Sequence, residues 1–207
     1  YAQAINIDAG SNAYVLTSYL ANIGGSNRTA ALPLILGNIR TGGDFTAQGT
    51  RIEIASLDIG GDLDLSTDYW SVDQSVDGSI TSSGLVSVAG TSALRSIGDI
   101  TFDNSSNHFL GAISISDRTP SAVHRVNPWN FELELPSINV DLASSSPMLL
   151  GAISMPRKTG VRVWTGPTTF NTVDQMAGTL SIDAAGGISQ ASAIEVAGVT
   201  NFTASNG

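Results

Sequence analysis

The chain has 207 residues, no cysteine and a net charge of −9, from 18 acidic and 9 basic side chains, with Lys158 the single lysine. Charged residues make up 13% of it, about half the usual ~25%, and Gly, Ser, Thr, Asn and Ala take their place. This excludes a disulfide framework and a thiolate metal site. It also leaves no basic footprint for nucleic acid and no polybasic patch for a membrane surface.

The opening stretch, 1–36, is the least regular. Ala13–Asn22 reads as a short helix, and the apolar run Ala30–Leu36 contains Pro33 and is far shorter than the ~20 residues of a membrane span. From 37 to 115 the pattern alternates polar and apolar with period two, in runs of three to five residues: Ile52-Glu53-Ile54, Leu57-Asp58-Ile59, Leu63-Asp64-Leu65, Val86-Ser87-Val88 and Ile113-Ser114-Ile115. Such runs, broken by Gly, Asn, Asp and Ser, are strands separated by tight turns. These turn residues also tolerate left-handed backbone.

The stretch 116–148 breaks the rhythm. It holds Pro120, Pro128, Pro136 and Pro147 with Trp129 and Phe131, and proline is poorly tolerated inside a paired strand. It reads as an excursion, with a hairpin built on Phe131–Leu135 and Ile138–Leu142. The alternation resumes over 149–207, at Val161-Arg162-Val163, Leu180-Ser181-Ile182 and Ile194-Glu195-Val196. The last residues, Ser205-Asn206-Gly207, fall inside a repeated phrase and the first is Tyr1, so both ends read as cuts. A further G-D-I-like strand is expected beyond Gly207, and export signals are expected outside this stretch.

Three phrases recur. V-S-V-A-G-T-S-A-L at Val86–Leu94 returns as I-E-V-A-G-V-T-N-F at Ile194–Phe202 and, more loosely, as L-D-I-G-G-D-L-D-L at Leu57–Leu65. Its anchoring glycines, Gly61, Gly90, Gly166 and Gly198, put neighbouring copies about 30 residues apart. Gly, a spacer and an aliphatic or aromatic residue open strands at Gly37, Gly43, Gly61, Gly78, Gly98 and Gly178. L-G-A-I-S occurs at Leu110–Ser114 and at Leu150–Ser154. Imperfect repeats of 20–30 residues, built from short strands and glycine turns, predict an all-β fold, a parallel β-helix. Val88, Leu94, Ile100, Phe102, Phe109, Ile113 and Ile115 are the expected inward residues. The rival arrangement is a β-sandwich, which rarely repeats its own sequence.

The longest phrase, Val86–Ser116, resembles the repeat of filamentous-haemagglutinin-like adhesins and autotransporter-like β-strand-repeat exoproteins of bacteria. The matching positions are Val88 and Gly90, then Gly98–Phe102, then Asn104, Asn107, Phe109 and Gly111, and finally Ile113-Ser114. The resemblance covers this repeat well and about half of the chain loosely or not at all. It implies a right-handed β-solenoid, secretion or display at the cell surface, and a role in attachment, biofilm or contact between cells. Neighbouring repeats of the same polypeptide are then the first partners, followed by end-to-end self-association and host or cell-surface glycans.

Catalytic chemistry has few candidates. Asp58, Asp62 and Asp64 lie close in sequence, and a β-helix lyase or tailspike-like glycosidase needs two carboxyls about 5–10 Å apart. The competing reading is that outward aspartates serve turns and solubility. Gly60–Leu65 faintly resembles a calcium-binding nonapeptide but lacks tandem copies. His108 and His124 stand apart, which disfavours a triad. Thr41-Gly42-Gly43 is no phosphate loop, since no lysine-containing P-loop motif occurs. Asn27, Asn104 and Asn201 head sequons. Tyr69-Trp70 and Trp129 suit sugar stacking or partner anchoring as well as ordinary packing. The expectation is a structural and adhesive module rather than an enzyme, with no cofactor, no metal and no membrane insertion.

Overall fold

The computed structural model describes residues 3–16, 33–67, 78–117, 138–144, 148–154, 159–165, 168–176, 179–184, 188–190, 194–196 and 199–204. Within them every regular element is a strand and every strand pairing is parallel. The chain winds as a β-solenoid, each coil giving a strand to a first sheet and a strand to a second.

The first coil holds β1 (Ile5–Ala9) and β2 (Ala13–Leu16), the second β3 (Leu34–Thr41) and β4 (Phe45–Gly49), and the third β5 (Ile52–Ile59) and β6 (Leu63–Thr67). The fourth has three strands, β7 (Ile80–Ser82), β8 (Val86–Val88) and β9 (Ser92–Ser96), as does the fifth, with β10 (Ile100–Phe102), β11 (His108–Phe109) and β12 (Ala112–Asp117). Next come β13 (Ile138–Ala143) with β14 (Met148–Ser154), then β15 (Thr159–Thr165) with β16 (Thr168–Met176). The eighth coil carries β17 (Thr179–Ala184), β18 (Ile188–Gln190) and β19 (Ile194–Val196), and β20 (Thr200–Ala204) returns to the first sheet.

Period-two alternation puts every second side chain inside, and parallel stacking repeats the same choice one coil later. Leu34, Ile52, Ile80, Ile100 and Val140 form one inner column, and Ala47, Leu65, Leu94 and Ile115 form another. All are buried, as are the seven inward residues named from the sequence. Phe102 and Phe109 meet at a ring-centroid distance of 6.1 Å, tilted by 35°. Burial of each such side chain contributes roughly 1.5–3 kcal/mol.

The alternation slips by one residue inside β3 and β5. In β5, Ile52 and Ile54 are inward, then Leu57 and Ile59, with Ala55-Ser56 between them. That extra residue bends the strand. The fourth coil breaks at the same place, so that β7 and β8 both stack on β5. The first sheet therefore has two sides in these coils, and the second sheet closes a three-sided section.

Several expectations are corrected. Ala13–Leu16 is strand β2 rather than helix, because Tyr14 and Leu16 face outward while β2 stacks in register on β4; 17–22 lies outside the described residues. Ile138–Leu142 is not a hairpin arm but part of β13, parallel to both β10 and β15. Phe131–Leu135 lies outside the described residues. The coils differ in length. Stacked residues lie 18 apart from the second to the third coil and 21 apart from the fourth to the fifth. The 29 between third and fourth includes 68–77.

The recurring phrases also separate. Leu57–Leu65 and Val86–Leu94 stack residue on residue, Leu57 under Val86 and Leu65 under Leu94. Ile194–Phe202 takes the opposite path: β19 lies in the second sheet and β20 in the first. Leu110 is 71% exposed at a corner, whereas Leu150 is buried opposite Ile113. The two L-G-A-I-S copies are therefore not equivalent: the first opens β12 after a turn, and the second lies within β14.

Candidate functional site: the corners of the solenoid

Of the polar residues singled out by the sequence, Asp62, Asn104 and Asn107 lie at corners or bends, between one strand and the next. At the corner leading into the second sheet, stacked coils read Gly10-Ser11-Asn12, Gly42-Gly43-Asp44, Gly60-Gly61-Asp62 and Ala89-Gly90-Thr91. Asn12 Oδ1 accepts the Asp44 backbone N–H at 2.9 Å, Asp44 Oδ1 accepts that of Asp62 at 2.9 Å, and Asp62 Oδ1 accepts that of Thr91 at 2.7 Å. Asn12 Nδ2 also donates to Asp44 Oδ2 at 3.2 Å. Each side chain thus holds the backbone of the following coil, and the column ends at Thr91, followed by Ala112.

This column explains the glycines. A Cβ at Gly43, Gly61 or Gly90 would overlap the carboxamide or carboxylate oxygen of the preceding coil, and at Gly90 it would also stand 2.6 Å from the Gly61 carbonyl oxygen. The requirement is close approach rather than left-handed backbone. Among the described residues the glycine with positive φ is Gly78, at 60°.

The three aspartates do not form a groove. Asp58 faces outward on the first sheet and pairs with Arg40 of the coil below at 3.5 Å. Asp64 faces outward on the second sheet and pairs with Arg95 of the coil above. Asp62 sits between them in the corner column. Stacking supplies a basic partner to each of Asp58 and Asp64, from 18 and 31 residues away. At Gly60–Leu65, Asp62 is occupied with the Thr91 N–H. Among the described residues no three His, Cys, Asp or Glu side chains converge. Thr41-Gly42-Gly43 is the same corner one coil earlier.

The Asn-x-x-Asn-x-Phe-x-Gly phrase forms the bend of the fifth coil. Asn104 Oδ1 accepts the Ser106 N–H at 2.9 Å, an Asx turn. Asn107 is fully buried: its Oδ1 accepts the Val86 N–H of the coil below at 2.9 Å, and its Nδ2 donates to the Phe102 carbonyl at 3.1 Å. From the coil above, the Ser144 hydroxyl donates to the Asn107 carbonyl at 2.7 Å. Phe109 enters the core, and Gly111 lies against the Gly90 carbonyl. His108, between them, is exposed on β11.

The corner that returns to the first sheet is closed from inside by hydroxyls. Thr67 Oγ1 donates to the Gly78 carbonyl at 2.7 Å and accepts the Ile97 N–H at 3.1 Å; Ser96 Oγ lies 2.8 Å from the same Gly78 carbonyl. Thr67 and Ser96 are buried. Sequence reading missed Asn12, Asp44, Thr67 and Ser96 as functional positions, because their partners lie a full coil away. Asn201 is exposed on β20, with its amide 3.3 Å from Ser181 Oγ. Asn27, Tyr69-Trp70, His124, Trp129, Gly166 and Gly198 lie outside the described residues.

Apart from Asn12 and Ser144, the residues that carry these corners fall in the stretches matched by a family model. That model, described as repeats of unknown function (DUF5649), matches residues 42–116 and 158–207. No curated protein and no solved structure matches the chain. The first match opens at the Gly42-Gly43-Asp44 corner and closes at the end of the fifth coil, and together the two matches span more than half of the sequence: the chain belongs to this family of repeats.

Proposed function

We propose that this chain is a structural module of an exported bacterial surface protein, a solenoid that sets contact segments at a distance from the cell, and that it is not an enzyme. The observation that carries this reading is where its polar chemistry goes. Asn12, Asp44, Asp62, Asn107, Thr67 and Ser96 all bond to neighbouring turns of backbone. Asp58 and Asp64 face outward on different sheets, each beside an arginine. Repeat architecture supports the structural role, since coils that cannot bury their faces alone do so by stacking. The likeness of Val86–Ser116 to adhesin repeats supports display at the surface and attachment, with glycans of a host or of other cells as the partner class.

Two experiments test the reading. Protease treatment of intact cells producing the whole protein should cut this region; full protection, with cutting only after lysis, overturns surface display. Incubation with uronate and neutral polysaccharides should release neither reducing ends nor unsaturated products. Release that disappears in Asp62→Asn or Asp64→Asn would establish the alternative, a carbohydrate-processing β-helix.

A further inference from the structure

The corner that returns from the second sheet to the first differs from the other corners in length. In the second coil it is Thr50-Arg51, between β4 and β5, and in the fourth it is Ile97-Gly98-Asp99, between β9 and β10. In the first, third and fifth coils 17–32, 68–77 and 118–137 intervene at that same corner, before β3, β7 and β13. The strand ends that flank these stretches therefore lie along one edge, on alternate coils, two interstrand spacings or about 10 Å apart.

Stacking continues across these departures. Residue pairs from β5 to β7 are Ile52 with Ile80 and Ile54 with Ser82, and Ile52 N–H donates to the Ser79 carbonyl at 2.9 Å. The two ends of 68–77 already meet, since Thr67 Oγ1 is 2.7 Å from the Gly78 carbonyl. Joining Thr67 to Gly78 would leave Gly78-Ser79 as a two-residue corner before Ile80. That is the length of Thr50-Arg51 before Ile52. It would also bring Ile52 and Ile80 to the 18-residue spacing that separates Leu34 from Ile52.

We infer that this corner is an insertion point, at which the solenoid closes on its own and accepts added chain without a change of register. The corner into the second sheet offers no such freedom, because its Asn and Asp side chains reach a fixed backbone position on the next coil. Bonds made by hydroxyls from within, as at Thr67 and Ser96, leave the outer path of the chain unconstrained. The inference rests on register and not on the surface reading above, so either can fail without the other.

The test is a pair of variants of the full chain: deletion of 68–77, and replacement of the same ten residues by a Gly/Ser sequence. Both should keep one cooperative unfolding transition and slow amide exchange at Ile80–Ser82. The deletion should have the same or a slightly higher midpoint, because a shorter connection costs less closure entropy. Loss of the transition in the deletion alone would mean that the corner needs its added length. Loss in both would mean that residues of 68–77 hold the coils together. Either result overturns the inference.

Discussion

A glycine in a turn invites an argument from backbone freedom, and for most of these corners that argument fails. At Gly61 the space for a Cβ is taken by Asp44 of the coil below, its backbone nitrogen 2.8 Å from that position. Gly10 begins the same column with nothing within 4 Å. Gly61→Ala should therefore cost about 1–3 kcal/mol by overpacking, while Gly10→Ala should stay within about 0.5 kcal/mol of the parent; urea unfolding of the two variants measures the difference. Equal effects would place the constraint elsewhere. Ser92 presents the opposite case. It is buried in the column between Leu63 and Ile113, and its hydroxyl finds no hydrogen-bond partner among the described residues. An unpaired buried hydroxyl carries a desolvation cost of about 1–3 kcal/mol, so Ser92→Ala should raise stability by about 1 kcal/mol. A loss of that size would reveal a partner for the hydroxyl. The glycines were visible in the sequence as punctuation. Their reason was not, because the atom that excludes a Cβ belongs to a residue 17, 28 or 31 positions away.

Strands and bends divide along the same line. Alternation in Ile52-Glu53-Ile54 and Leu57-Asp58-Ile59 was enough to place inward and outward residues, because period two is a property of the strand itself. That the two runs form one strand with a bend at Ala55-Ser56 is a matter of stacking, and it becomes plain only where β7 and β8 lie over them. Coil length was obscured for a similar reason. The phrase at Leu57–Leu65 and its copy at Val86–Leu94 are true neighbours, yet 68–77 intervenes and stretches their separation. The bend of the fifth coil shows how differently two polar residues of similar type can act. Asn107 is buried and satisfies Val86 N–H and the Phe102 carbonyl, neither of which water replaces. Asp44 is exposed, so solvent can take over the Asp62 N–H once the carboxylate is gone. Asn107→Ala should cost about 2–4 kcal/mol and Asp44→Ala about 1 kcal/mol or less. Calorimetric unfolding of both variants checks the ranking, and a larger effect at Asp44 would contradict it.

At the scale of the molecule, every described strand crosses the long axis and every pairing is parallel, so the interstrand hydrogen bonds point along that axis. Ion pairs such as Arg40–Asp58 are largely exposed and add little; cohesion between coils comes from the stacked interior and from these bonds. A tension applied from one end of the stack to the other then meets them in series. All coils bear the same load, and the outermost, held on one side only, peels away first, unlike a sandwich whose strands are sheared together. Release of a regular coil frees about twenty residues, or roughly 6–7 nm of chain, and the steps that contain 17–32, 68–77 and 118–137 free roughly 10–14 nm. Single-molecule extension should give a train of such steps at low force, and one rupture that frees the whole contour would refute serial loading. A stack of this kind lengthens under tension instead of resisting it, and so caps the force passed from one end to the other.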